Sequence, residues 1–208
     1  MLSLGDLTTT EQIIEKSRFI TYSMHVEGEE EAREMISMIR DEHRLATHVC
    51  YAYIADKLGN LQRFSDDGEP SGTAGMPILD VLKKNRLFET CICVVRYFGG
   101  IKLGAGGLVR AYSGGAAENV AFAKKYDYLL CRMLALKVGY GMIDSVKLFL
   151  SSHECELKST EYLESVFFHV AVKDSCADSF QKDLIDYCNG KVEISEKETY
   201  FYPFPLAI

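Results

Sequence analysis

No two of the seven cysteines stand at CxxC spacing, and seven is an odd number. Paired redox thiols and a disulfide framework using every cysteine are therefore excluded, and free thiols in a reducing compartment are expected. No stretch approaches the roughly 18 apolar residues of a membrane span. The opening MLSLGDLTTTEQ carries acids and threonines where a secretory signal needs an apolar run. A cytoplasmic location without membrane contact is expected. Positive charge is also scarce: 23 Lys and Arg against 30 Asp and Glu leave a net charge of −7. That argues against a chain that coats nucleic acid by bulk electrostatics.

Core-forming residues are not scarce. Hydrophobic residues make up 48% and charged residues 25% of 208 positions, enough for one large domain or two small ones. Residues 1–126 carry 15 basic and 17 acidic side chains, whereas 127–208 carry 8 and 13. A basic surface must be local, and is expected in the first part.

Residues 11–26 are rich in β-branched and aromatic side chains and read as one or two strands. Residues 29–43 read as a helix, 48–55 and 61–64 as strands around a turn at Leu58-Gly59-Asn60, and 77–85 as a helix with Pro77 in its first turn. TCICVVR, from Thr90 to Arg96, is apolar on both faces, as a central strand must be. A helix follows from about Gly106 to Lys125, with Val109, Tyr112, Ala116, Val120 and Ala123 as its expected buried stripe. KKYDY, from Lys124, reads as a polar break between a domain at 1–126 and another at 127–208. The second part orders its elements βαββαβ, the ferredoxin-like pattern, its last strand ending at Pro203 and Pro205.

Between the central strand and the long helix lies RYFGGIKLGAGGLVR, residues 96–110. Gly99, Gly100, Gly104, Gly106 and Gly107 place five glycines in nine positions, and Arg96, Lys102 and Arg110 punctuate them without an acid. Bare N–H groups at a helix start can approach an anion closely. This is not a P-loop, because Leu103 follows Lys102, and no G-x-G-x-x-G fingerprint is present. Two readings stay open: glycines that only let the helix press on the sheet, or packing combined with an anion or partner site. SDDGEPSGTAG, residues 65–75, offers a second glycine-permitted helix start. Its Asp66, Asp67 and Glu69 could answer the cations, could hold a divalent ion, or could bond their own loop. The pairs His48/Cys50 and Cys91/Cys93 are expected to be buried rather than metal ligands. His25, His43, His153 and His169 are expected to be structural or surface residues. No metal or cofactor is expected.

FSDDGEPSGTAGMPIL (residues 64–79) and VVRYFGGIKLGAGGLVRAYS (residues 94–113) closely resemble the two long motifs of the IMPACT family, the YigZ-like proteins. HVCYAY, with His48 and Tyr51, also fits, and the resemblance covers roughly residues 17–125. The part after 127 resembles the small DUF1949 domain of bacterial members. The resemblance implies an α+β fold of two domains, the first ribosomal protein S-five domain-2-like and the second ferredoxin-like, similar to elongation factor G domain V. Eukaryotic relatives are translational regulators that restrain a starvation-responsive kinase by competing for its activator. Bacteria lack that pathway, so the role does not carry over unchanged. The family motif's polar positions fall on His48, Asp66, Asp67, Glu69, Ser71, Thr73, Arg96, Tyr97, Lys102 and Arg110, which enter as ligand- or partner-binding candidates without chemical roles.

Two functions follow as expectations. The first is a non-catalytic regulator contacting RNA, the ribosome or a translation-associated protein through the face of residues 96–110. The second is an enzyme acting on a phosphorylated or carboxylated small molecule in a pocket between the 66–75 and 99–107 loops. The enzyme requires a concave surface there and a carboxylate of raised pKa.

Overall fold

A computed structural model describes residues 1–206, with Pro205 by its backbone alone. The last two positions of the expected second domain lie outside the described residues. The chain divides into two compact units, Met1–Asp127 joined by the described chain end at 205–206, and Tyr128–Phe204.

The first unit is built on a five-stranded sheet in the order β2-β3-β6-β4-β5. β2 (Thr8–Ile14) and β3 (Ser17–His25) form a hairpin; β4 (His48–Ile54), β5 (Gln62–Ser65) and β6 (Thr90–Tyr97) complete the sheet. β6 holds the centre because it can bury both faces. Its Ile92 and Val94 pack with α2 (Gly75–Lys84) and α3 (Gly104–Phe122), while Cys91, Cys93 and Val95 pack with α1 (Glu29–Glu42). Successive side chains of a strand alternate in direction, so one helix covers one face and two helices the other.

Three local expectations are corrected here. Val109 is 38% exposed; the buried stripe of α3 runs instead through Leu108, Ala111, Tyr112, Gly115, Ala116, Asn119 and Val120. At Gly115 a side chain would meet Gln12 and Thr21, so this position stays bare. KKYDY holds the boundary between the units, at Asp127 and Tyr128, but it is extended rather than a loop: β7 (Lys125–Val138) begins inside it. Residues 125–127 pair with β1 (Leu2–Leu4), and the N-terminal ammonium reaches Asp127 at 2.7 Å. Those partners lie more than 120 positions away, so polar composition alone reads as a loop. The last strand, β10 (Val192–Pro205), also runs through Pro203 to Pro205 rather than stopping there.

The second unit follows the expected order: β7, α4 (Ile143–Ser151), β8 (Cys155–Tyr162), β9 (Val166–Lys173), α5 (Ala177–Tyr187) and β10. Short 3-10 turns precede both helices. The strands neighbour each other as β10-β7-β9-β8. Leu134, Leu136, Phe168 and Val170 from the sheet meet Val146, Phe149, Phe180 and Leu184 from the helices in one core. The fold is α+β in both units, with the ferredoxin-like pattern in the second.

Candidate functional site

Strand alternation decides which candidates meet. β4 and β6 are antiparallel with His48 opposite Arg96, and both residues fall on the face covered by α2 and α3. Tyr97, one position on, points the other way. Its hydroxyl lies 2.8 Å from Nδ1 of His43, whose Nε2 is 2.6 Å from the Tyr22 hydroxyl, on the α1 side. Tyr97 therefore does not join the other candidates.

Arg96 is only 4% exposed. Its Nη1 donates to Oε1 of Glu69 at 2.6 Å, and its Nη2 to the Ser17 hydroxyl at 3.3 Å. The rings of Phe19 and Phe98 lie 5.3 and 5.4 Å from the guanidinium carbon. Glu69, 8% exposed, also accepts from the Tyr112 hydroxyl at 2.8 Å. Burial pushes the Tyr112 pKa far up, so it stays a donor. A charge taken this far from water is tolerable only when paired and hydrogen-bonded. Arg96 is thus already answered by Glu69.

The two aspartates hold the 66–75 loop together. The Asp66 carboxylate accepts N–H groups from Gly72 (2.8 Å), Ala74 (3.0 Å) and Gly75 (2.8 Å), closing the loop onto the start of α2. Burial by itself would raise the Asp66 pKa, but the three N–H donors favour the charged form and lower it overall. Asp67 accepts from the Val49 N–H at 2.6 Å and from Arg40 at 2.7 Å. Thr73 is buried and donates to the Pro70 carbonyl at 2.6 Å, while Ser71 is exposed. A Cβ on Gly75 would lie 2.7 Å from the Ser65 carbonyl oxygen, so this glycine lets backbone meet backbone. Both aspartates are thus engaged in holding the loop in place, and no three His, Cys, Asp or Glu side chains among the described residues could hold a metal ion.

The lowered Asp66 pKa gives a pH prediction. A carboxylate depressed in the folded state contributes stability above its unfolded pKa near 4, and loses it as pH falls through the lower folded value. Asp66→Asn should lower stability near pH 7 by roughly 1 kcal/mol and flatten the acid limb of the stability curve below about pH 4. Urea midpoints measured from pH 2 to 7 would read both effects. A variant curve parallel to that of wild type would contradict the assignment.

Beside the Arg96–Glu69 pair opens a pocket of about 400 Å³, lined by Thr47, His48, Glu69, Pro70, Arg96, Phe98, Lys102, Leu103, Gly104, Ala105 and Leu108. His48 donates from Nδ1 to the Asp67 carbonyl at 2.8 Å, which leaves Nε2 as the acceptor of the neutral ring, 3.9 Å from Oε2 of Glu69. In the same lining α3 begins at Gly104, with no side-chain cap and no acid in its first turn. Lys102 is exposed and has no ion-pair partner among the described residues. The thiol of Cys50, behind His48 on the same strand, is pushed up to about 12 by burial and is no nucleophile.

The glycines divide by role. Only Gly104 lines the pocket, with φ +69 and open space beside it. Gly99 packs onto the backbone of Lys16 and Ser17, and Gly100 takes φ +88. Gly106 and Gly107 lie along α3 against Arg110 and Leu103. Arg110 is exposed and lies outside the pocket. Ser17, Tyr112 and the apolar wall of Leu103 and Leu108 are additions that the sequence did not suggest. Ser17 stands 79 positions from Arg96, and no local pattern marks it.

A model of the Impact N-terminal domain matches residues 15–120, and one of a domain of unknown function, DUF1949, matches 136–191. The chain belongs to the IMPACT family. It is 42% identical over 188 residues to the IMPACT family member YvyE of Bacillus subtilis (strain 168), covering 90% of this chain and 87% of that one. The IMPACT family member YigZ of Escherichia coli (strain K12) is 33% identical over 196 residues, 93% and 96% of the two chains. A solved structure described as that of a hypothetical protein superimposes with a TM-score of 0.60 at 32% identity, over 95% and 97% of the chains. The IMPACT signature thus falls on the 66–75 loop, β6 and the start of α3, the elements that build the pocket.

Proposed function

We propose that this IMPACT family chain is a non-catalytic binding protein linked to translation, and that it contacts single-stranded RNA through the pocket and its rim at residues 96–110. The family's eukaryotic members, as translational regulators, supply the link to translation. The observation that carries the RNA contact is the 45% exposure of Phe98, which lines the pocket with Lys102, while Arg110 stands exposed further along α3; neither cation has an ion-pair partner among the described residues. An aromatic face next to sparse positive charge suits stacking on one or two bases more than tracking a long backbone.

With Arg96 neutralised by Glu69, few phosphates are contacted and the salt dependence is shallow. Each phosphate contact to a single strand contributes about −0.7 to the slope of log K against log salt. Titrating a short oligoribonucleotide by fluorescence anisotropy at several salt concentrations should give a slope near −1.4 for two contacts. Lys102→Ala should lower its magnitude by about 0.7. Binding insensitive to salt and to Lys102 rejects RNA, and capture of a protein partner by the same face would put that partner in its place.

The alternative, an enzyme acting on a phosphorylated or carboxylated small molecule, is favoured by one observation: His48, its Nδ1 bonded to the Asp67 carbonyl, lines a concave pocket with Nε2 beside a carboxylate. Against it, the displaced carboxylate of this loop, Asp66, moves to lower pKa, which does not suit a general acid or base.

A further inference from the structure

The pocket lining combines two chemically opposite groups of residues. In one, α3 starts uncapped at Gly104, with Ala105 in its first turn and Lys102 just before it. Backbone N–H groups, the positive helix end and an unpaired ammonium all favour an anion there. In the other, the acceptor Nε2 of His48 and Oε2 of Glu69 stand 3.9 Å apart and neither has a hydrogen-bond donor among the described residues. Two acceptors facing a concavity call for hydroxyl or amine donors from a ligand.

A second feature points to a ligand independently of the helix start. Arg96, 4% exposed and part of the pocket lining, leaves Nε without a hydrogen-bond partner among the described residues. Its other two nitrogens are committed to Glu69 and Ser17. An orphaned guanidinium N–H in a buried site is costly unless a ligand or water answers it. The same lining includes the half-exposed ring of Phe98 and the apolar side chains of Leu103, Leu108 and Pro70.

We propose that the pocket holds one ribonucleoside phosphomonoester, either a free nucleotide or the phosphorylated end of an RNA. The phosphate sits at the start of α3 with Lys102, the ribose hydroxyls donate to His48 and Glu69 while one of them accepts from Nε of Arg96, and the base lies against Phe98. A volume of about 400 Å³ is at the small end of ligand sites. It admits one nucleotide and not a strand. A terminal monoester also carries more charge than an internal diester, which matters where only one ammonium and one helix end attract it. The inference rests on the reading that this pocket is the working surface, and it goes further by fixing the chemistry of the occupant.

The test is calorimetric titration of the full chain with AMP, adenosine, inorganic phosphate and 2′,3′-dideoxy-AMP. AMP should bind at least about tenfold tighter than adenosine or phosphate alone, and removing the hydroxyls should weaken it severalfold. Ala105→Glu places a carboxylate where the phosphate would sit, and an acid in a first turn does not harm the helix. Its melting temperature should match or exceed that of wild type, while AMP affinity falls about tenfold. Lys102→Ala should weaken AMP and leave adenosine unchanged. Equal affinity for AMP and adenosine, or an Ala105→Glu variant that binds AMP normally, overturns the proposal. Terminally phosphorylated and hydroxyl-ended oligoribonucleotides of one sequence separate the sources. Preference for the phosphorylated oligomer, competed by AMP, assigns the RNA end; AMP binding alone assigns the free nucleotide. If both oligomers bind equally and AMP does not compete, the phosphomonoester is rejected while the RNA-binding face stands.

Discussion

Replacing Glu69 with alanine is expected to destabilise the chain by about 3–5 kcal/mol, the cost of leaving a buried charge without its counterion. Arg96 would keep its place between Phe19 and Phe98, losing the 2.6 Å bond to Glu69, and Tyr112 would lose its acceptor. Equilibrium urea unfolding should show a lower midpoint with an unchanged m value. Removing both charges, as Arg96→Met with Glu69→Leu and Tyr112→Phe, should recover most of the loss. The expense lies in desolvating a lone ion, and the pair's attraction mainly offsets it. A Glu69→Ala loss below about 1 kcal/mol would place this pair among surface salt bridges and contradict its burial.

Gly99→Ala is expected to be comparably damaging for a steric reason. A Cβ there would fall inside the contact distance of the Lys16 carbonyl, which is backbone and cannot rotate aside. Lys16 and Glu15 sit at the turn of the β2–β3 hairpin with positive φ, so the turn has little room to relax. Overpacking ordinarily costs about 1–3 kcal/mol, and a backbone clash belongs at or above the top of that range. Gly114→Ala supplies the contrast. Nothing lies within 4 Å of its Cβ position in α3, so alanine should stabilise by about 0.5–1 kcal/mol through helix propensity. Thermal melts of the two variants should move in opposite directions. If Gly99→Ala melts with wild type, the close packing of residues 16 and 99 is wrong.

The same contrast shows why the glycine stretch is ambiguous to a reader of sequence. In sequence the five glycines left two readings open, packing of the helix on the sheet alone or packing combined with an anion or partner site. Gly99 serves a backbone crossing, Gly100 takes a positive φ, Gly106 and Gly107 lie along α3, and only Gly104 opens onto the pocket. A string of identical letters cannot distinguish these roles, because the atoms a Cβ would meet come from residue 16, far away in the chain. The acidic loop carries a similar lesson. Of the roles open to the acids in sequence, Asp66 takes that of bonding the loop's own N–H groups, while Asp67 pairs with Arg40 and the Val49 N–H. Glu69, two positions on, is the carboxylate that answers Arg96.

Local signals were enough for the architecture. TCICVVR announced a strand buried on both faces, and β6 lies at the centre with helices on either side. The βαββαβ rhythm after residue 127 announced a ferredoxin-like unit, and its strands neighbour each other in that manner. Hydrophobic periodicity records how each segment must hide its apolar side, a property the segment carries alone. Partnership is different. That Arg96 faces His48 while Tyr97 turns to His43, that Leu2–Leu4 pairs a stretch resembling a linker, and that Ser17 and Tyr112 complete a buried ion pair all depend on register and long-range packing. One residue of register carries a side chain to the opposite face. The amino-acid order determined which segments become strands and helices, and only the assembled sheet decided which charges meet, which are cancelled, and where a pocket remains.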